Sequence, residues 1–253
     1  MILLSTKNTK LMKSDGTGYR IAGLSLAPHK QSGLTNLCPF AGRCANDCVT
    51  WFAGRTVTKG VRNAALNRTR FYVEDRERFI LQLCEEIERF ERRCQKNGEI
   101  CCIRLNVASD VRWESVAPIL FSQFQNVRFY DYTKDPYRFG LLSSKGIENY
   151  HLTYSVSERT DPGFAGRCLE NGHNVAVICS VRYVGNRAIA DPIPEWLEVD
   201  GDFWPVVDGD KSDLRLPELD GSGSVVLLRF KGAFSRRSES VDCGLTWDLE
   251  GNF

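Results

Sequence analysis

Several familiar signatures are missing from this 253-residue sequence. No apolar run approaches the ~20 residues that a bilayer-crossing helix needs, so no membrane span is expected. The opening stretch, MILLSTKNTKLMKSDG, has only a four-residue apolar run before its lysines. A secretory signal needs a longer apolar core, which places the expected location in the cytosol. No charge of one sign dominates: 33 Lys and Arg face 32 Asp and Glu, a formal net charge of +1. That excludes a global basic field for nucleic acid and leaves only a local basic face. There is no G-x-x-x-x-G-K-[ST] phosphate cradle, no glycine-rich dinucleotide fingerprint and no nucleophile elbow. Repeats with periods of 20–50 residues and low-complexity tracts are also absent.

Cysteine, by contrast, is plentiful, with ten in the chain. In a reducing compartment disulfides explain them poorly. Cys84 and Cys94 fall on a predicted helix face, and Cys101, Cys102 and Cys179 in apolar strand runs. These five read as small buried hydrophobes. Cys168 and Cys243 are ambiguous. Cys38, Cys44 and Cys48 stand apart, because they cluster in a segment that does not read as core.

Hydrophobic residues make up 42% and charged residues 26%, ordinary for a soluble globular protein. The length suits one α/β barrel or two small domains. Residues 20–27 alternate like a first strand, and residues 28–50, with Pro, Gly, Asn and three Cys, read as an ordered loop. A short helix is expected within 50–66. The clearest element is 75–96, where Phe79, Ile80, Leu83, Cys84, Ile87, Phe90 and Cys94 recur at helical spacing. Asp75 is its expected N-cap and Asn97-Gly98 its stop.

Short apolar runs follow at 100–107, 127–130, 151–156, 174–179, 205–207 and 224–230, each ending in a polar cluster. Helix-compatible segments lie at 113–123 and 162–171. This rhythm predicts βα units and a mostly parallel sheet. The expected fold class is therefore α/β, a partial or full (β/α) barrel of mostly parallel strands with the cysteine loop after the first strand. Residues 1–19 read as a flexible or edge segment, 20–232 as the barrel-like domain and 233–253 as a tail or cap. The stretch 191–204 reads as a loop insertion. In such sheets ligands sit at the carboxyl ends of the strands. The polar endings should then share one rim, although any one of them could be an ordinary turn or cap residue.

The motif LCPFAGRCANDCV spaces its thiols C-x5-C-x3-C. Structural zinc needs a fourth ligand, for which His29 and, less well, Asp47 are candidates, and the paired C-x2-C knuckles of zinc sites are missing. A four-iron cluster tolerates three thiolates, leaving one iron for substrate or cofactor. Pro39, Gly42 and Asn46 would let the backbone curl around such a cluster. A metal-free loop with buried thiols is the third alternative.

Asp208, Asp210, Lys211 and Asp213 form the densest charge cluster, able to bind a metal or transfer protons, or simply to form a solvated turn at Gly209. Asp131, Lys134 and Asp135 likewise end a strand. Tyr130 and Tyr132 could stack on a base but are more ordinary as packing. His151 reads as structural, and His173 carries no signal. The basic stretch from Arg55 to Arg78 holds Lys59, Arg62, Arg68, Arg70 and Arg76 with Phe71 and Tyr72 among them. It reads either as a nucleic-acid grip or as a helix surface balanced by Glu74, Asp75 and Glu77.

The segments LSLAPHKQSGLTNLCPFAGRCANDC, RLNVASDVRWE, FYDYTKDP, YHLTYSVSE and VVDGDKSD together resemble the gene product 88-like domain of bacteriophages and plasmids, across roughly residues 20–232. The resemblance implies a bacterial host's cytoplasm and no particular reaction. More distantly, the arrangement is similar to radical S-adenosylmethionine enzymes, whose three-cysteine motif follows the first strand of a full or partial barrel. That likeness implies a 4Fe-4S cluster on Cys38, Cys44 and Cys48, with S-adenosylmethionine on the open iron. It also places Ser109 and Asp110 by the cofactor's amino group, and Ser155, Ser157 and Glu158 facing the cofactor. The departures are the spacing, where that family has C-x3-C-x2-C, the absent glycine-rich motif, and Asp47 where an aromatic usually precedes the last cysteine.

The expected function is thus an iron–sulfur enzyme. Lys134, Glu158, Asp208, Asp210 and Lys211 would be its catalytic groups, and Ser109, Asp110, Ser155 and Ser157 its cofactor contacts. A small-molecule cofactor and a nucleotide or nucleic acid are the expected partners. The alternative is a non-enzymatic nucleic-acid-binding or host-interaction protein whose loop holds zinc or a cluster as a staple.

Overall fold

The computed structural model describes residues 1–7, 11, 17–46, 48–52, 58–179, 182–184, 187–189 and 192–230. The chain opens with β1 (Leu4–Ser5) and β2 (Tyr19–Leu24). A 3-10 turn at Gly42–Ala45 leads to α1 (Val49–Phe52), α2 (Lys59–Glu74) and α3 (Arg76–Asn97). Next come β3 (Ile100–Arg104), α4 (Trp113–Val116), α5 (Ile119–Gln123), β4 (Arg128–Thr133) and α6 (Arg138–Ser144). Then follow β5 (Tyr150–Ser155), α7 (Phe164–Glu170), β6 (Val175–Cys179), β7 (Arg182–Val184) and β8 (Arg187–Ile189). The last elements are β9 (Trp196–Val199), β10 (Asp202–Asp208), α8 (Pro217–Asp220) and β11 (Val225–Arg229).

Nine strands form one sheet in the order β1-β2-β3-β4-β5-β6-β11-β10-β9, and β7 and β8 form a separate hairpin. From β2 to β10 every pairing is parallel, while β1 and β9 join the two ends antiparallel. The expected mostly parallel α/β sheet is there. Among the described residues no ladder joins β1 to β9, so the sheet is open at both ends.

The sheet is buried on two faces because successive strand residues point to opposite sides. Cys101, Ile103, Phe129, Tyr150 and Leu152 pack under Phe79, Leu83, Ile87 and Phe90 of α3 and Leu120 and Phe121 of α5. Their neighbours in sequence, Cys102 and Tyr130, turn the other way and meet Ile21, Leu214 and Leu216. Cys94, Cys101, Cys102, Cys168 and Cys179 are buried, and Cys84 packs partly buried against the first core. None of the nine described cysteines is in a disulfide.

α3 forms where the periodicity placed it. The Asp75 side chain accepts from the Arg78 N–H, and Gly98 ends the helix at φ 68°. Other expectations shift. The helical stretch 113–123 is two short helices, with Pro118 beginning the second, because proline cannot supply the amide that a continuous helix requires. The expected loop insertion at 191–204 is corrected, since it contains the antiparallel pair β9–β10 with Trp196 opposite Pro205. Its Gly201 and Asp200 both take positive φ, which closes the two-residue turn. α6, β7, β8 and α8 had no periodic signal. The tail 233–253, with Cys243, lies outside the described residues.

Candidate functional site

Parallel strands place all their carboxyl ends on one rim, and the sequence loads that rim with polar residues. The cysteine loop follows β2; Asn106, Ser109 and Asp110 follow β3; Lys134 and Asp135 follow β4; Ser157 and Glu158 follow β5; Asp208 and Asp210 end β10. The loop is fastened at three points. The Asp110 N–H donates to Leu37 O at 2.8 Å, and the Leu37 N–H to His29 O at 3.1 Å. The Arg43 N–H donates to Glu158 Oε1 at 2.7 Å. The last contact bridges the loop after β2 to the loop after β5, passing over the ends of β3 and β4. It depends on Gly42, which sits at φ 54° and whose Cβ would lie 2.1 Å from Glu158 Oε1.

Cys38, Cys44 and Cys48 are all partly exposed. Cys38 Sγ receives the His29 N–H at 3.2 Å and lies 3.8 Å from Ala108 O. Cys48 Sγ is 3.0 Å from Thr50 Oγ1. Burial pushes the Cys38 thiol up to about 12, with Asp110, Cys48 and Cys44 adding to the shift. Among the described residues no three His, Cys, Asp or Glu groups are gathered as a metal-binding set. His29 contributes its backbone to this loop, and Asp47 lies outside the described residues.

Beneath the loop is a buried polar network that joins Ser109, Asp110 and Asp131 to Asn106, Glu114, Arg138 and Tyr150, which no sequence pattern marked. Arg138, 0% exposed, sends Nε and Nη2 to the two oxygens of Glu114, each at 2.9 Å. Its Nη1 reaches Asp110 Oδ1 at 2.9 Å, and Nη2 also reaches Tyr150 Oη at 2.6 Å. The Tyr150 hydroxyl donates to Asp131 Oδ2 at 2.6 Å, and Asp131 Oδ1 accepts the Asn106 N–H at 2.7 Å. Asn106 Oδ1 gathers the Ser109 hydroxyl, the Val111 N–H and Trp113 Nε1 at 2.9, 2.9 and 3.2 Å. Burial holds Asp131 up at about 7, with Arg138 and Arg104 working against the shift. On the opposite face Arg104 Nη1 meets both oxygens of Asp213 at 2.7 Å, and Arg104 lies 5.0 Å from the Tyr132 ring centroid.

The predicted residues divide accordingly. Asp110 is committed within the protein. Its oxygens accept from Thr133 Oγ1, Arg138 and the Lys134 N–H. Ser109 is tied to Asn106. Ser155 Oγ and Val156 O accept from Lys134 Nζ at 3.0 and 3.4 Å, which brings Lys134 and Ser155 together. Ser157 Oγ accepts the Arg159 N–H at 3.3 Å. Glu158 Oε2 is buried with no hydrogen-bond partner among the described residues. Asp208 and Asp210 share Arg229 at 3.3 and 3.4 Å, and Lys211 is exposed beside them.

Much of the basic stretch of α2 and α3 is committed to packing. Arg62 lies 4.8 Å from the Trp51 ring centroid and donates to Trp51 O, and Arg68 donates to Ile2 O at 2.9 Å. Arg70 pairs with Glu74 at 3.9 Å, and Arg76 lies 4.9 Å from the Tyr72 ring. No helix among the described residues is long and apolar enough to cross a membrane.

No curated protein and no solved structure gives a significant match, so the distant likeness to radical S-adenosylmethionine enzymes has no relative to rest on. The family model described as gene product 88 matches residues 2–249, nearly the whole chain, and the chain therefore belongs to the gene product 88 family.

Proposed function

We propose that this chain is an iron–sulfur enzyme whose cluster is held by Cys38, Cys44 and Cys48 at the mouth of a partial barrel. The observation that carries the reading is the placement of the loop. Three unbridged, partly exposed thiols are fastened onto the carboxyl rim of a parallel sheet, by Asp110 on one side and Glu158 on the other. The donor set fits the group in kind. Three thiols leave a coordination position open, and the His29 amide already points at Cys38 Sγ, as amides do toward ligated sulfur. A bound cluster would supply an electron source or a Lewis acid at this mouth.

The chain's own residues do the rest. Arg138 and Asp110 hold the ends of β3 and β4 at a fixed height beneath the loop. Glu158 latches the loop from across the rim. Lys134 donates its ammonium to Ser155 Oγ and Val156 O, both neutral acceptors, so its charge remains available to an anionic group of a cofactor or substrate. The bridge from Arg43 to Glu158 supports a sheet curled into a partial barrel, and S-adenosylmethionine is the cofactor this arrangement would take.

Anaerobic purification of the full chain, with absorbance near 400 nm and iron and sulfide analysis, tests the reading. Brown protein that loses its colour on combined Cys38→Ser, Cys44→Ser and Cys48→Ser substitution is the expected result. Colourless protein with stoichiometric zinc would make the loop a structural staple, and protein with no metal would overturn the reading. On brown protein, reductive cleavage of S-adenosylmethionine distinguishes radical chemistry from a Lewis-acid role.

A further inference from the structure

We propose that the rim beside the cysteine loop is a nucleotide-binding site, with the base stacked against Tyr137 and Phe40 and a phosphate on the open edge of Arg112. Phe40 lies between Cys38 and Cys44 in the loop, and Tyr137 leads into α6. Their ring centroids are 6.0 Å apart with planes inclined at 59°. The Arg112 guanidinium lies 5.9 Å from the Phe40 centroid and 5.8 Å from the Tyr137 centroid. Two elements distant in sequence thus bring two rings and one planar cation to a single spot, and Tyr137 remains 65% exposed there.

The arrangement is held in place from below. Asp135, fully buried, accepts Arg112 Nε with one oxygen and the Tyr137 N–H with the other, the latter at 3.0 Å. Its own N–H is anchored on Thr133 Oγ1 at 3.0 Å. One carboxylate therefore fixes both the plane of the guanidinium and the backbone that carries the tyrosine. Among the described residues only Nε of Arg112 finds an acceptor. Its two amino groups have no acceptor among the described residues, and an open guanidinium edge suits a phosphate oxygen pair. Arg43 and Arg159 are exposed on the loops joined by Glu158. Lys134, on the segment that also carries Asp135, adds a cation with neutral partners. The exposed Tyr137 ring and the half-buried Phe40 ring beside a fixed guanidinium, with further cations on the adjoining loop segments, match a ligand that is flat and apolar at one end and polyanionic at the other. This assignment rests on the metal-centre reading only for what happens to the ligand after it binds.

The test is binding to the full chain by calorimetry and fluorescence, with adenosine, AMP, ATP, inorganic phosphate and a labelled single-stranded 12-mer as probes. Wild type should bind nucleotides better than adenosine. Tyr137→Ala should weaken them about tenfold, the scale of one lost base stack. Arg112→Lys should weaken ATP and leave adenosine unchanged. If Tyr137→Ala fails to fold, Tyr137→Leu keeps apolar bulk without the π face and should show the same loss. Tighter binding of the 12-mer than of AMP assigns the site to a strand end, and equal binding to a free nucleotide. Absence of nucleotide binding at millimolar concentration, or equal affinities in wild type and both variants, overturns the site. Metal content measured on the same samples separates the two readings, because metal-free protein that binds nucleotide removes the cluster and leaves this site standing.

Discussion

At the scale of single residues, the chain commits its buried charges to one another. Arg138 alone connects Glu114, Asp110 and, through Tyr150, Asp131. Replacing it with methionine would leave Glu114, 0% exposed, and Asp110 as uncompensated buried carboxylates. Arg138→Met should therefore cost about 3–5 kcal/mol in urea unfolding; a loss below about 1 kcal/mol would mean that the network is not what holds the rim. Asp220 offers a pH handle. Burial raises it to about 6, with Arg215 opposing the shift, and its Oδ2 lacks a hydrogen-bond partner. The folded state therefore keeps this proton longer than the unfolded chain, whose aspartates titrate near ~3.9. The stabilisation is complete below about pH 4 and is lost as the pH rises through about 6. Asp220→Asn removes that titration, so unfolding free energies from urea titrations should fall by about 1–2 kcal/mol less between pH 4 and 7. An unchanged profile would clear Asp220 of the effect. The sequence singled out Ser109 and Asp110 but not the partners that they turn toward. Which way a strand-end side chain turns depends on partners such as Asn106, Thr133 and Arg138 that arrive from elsewhere in the chain.

At the scale of elements, legibility followed local physics. α3 was readable because its buried positions, its cap and its stop all lie within one continuous stretch. Asp75→Ala should destabilise the protein by about 1 kcal/mol through the lost cap, measured by thermal or urea unfolding. The β9–β10 hairpin was not readable. Its exposed Trp196 and Phe203 break the alternation of apolar and polar residues, and the pairing becomes visible only once β10 is seen beside β11. The cysteine loop is an element of another kind, irregular in itself and ordered by what it touches. Gly42→Ala would drive a methyl group into Glu158 and strain a backbone at positive φ. Faster amide exchange across 37–46, with β3 to β5 unaffected, is the expected outcome, and unchanged exchange would mean that the latch does not order the loop.

At the scale of the whole molecule, the open sheet needs its ends guarded. β1 guards one end. Leu3 and Leu4 are buried, and their N–H groups donate to Glu86 of α3 at 2.8 to 3.0 Å. Deleting residues 1–7 should expose the β2 edge, remove about 3–6 kcal/mol of apolar burial and promote self-association in light scattering. A monomer with unchanged stability would show that the edge needs no cover. The sequence by itself determined the alternation of strands and helices, the buried role of most cysteines, the grouping of three thiols in one loop and the polar ends of the strands. All of these are local, written in periodicity and in spacing along the chain. The tertiary structure alone decided that the sheet stays open among the described residues and that Glu158 reaches the Arg43 N–H across two intervening strand ends. It also decided that Arg138 is buried and that Phe40, Arg112 and Tyr137 meet. Each of these depends on which distant segments become neighbours once the strands take their order, and no local pattern carries that information.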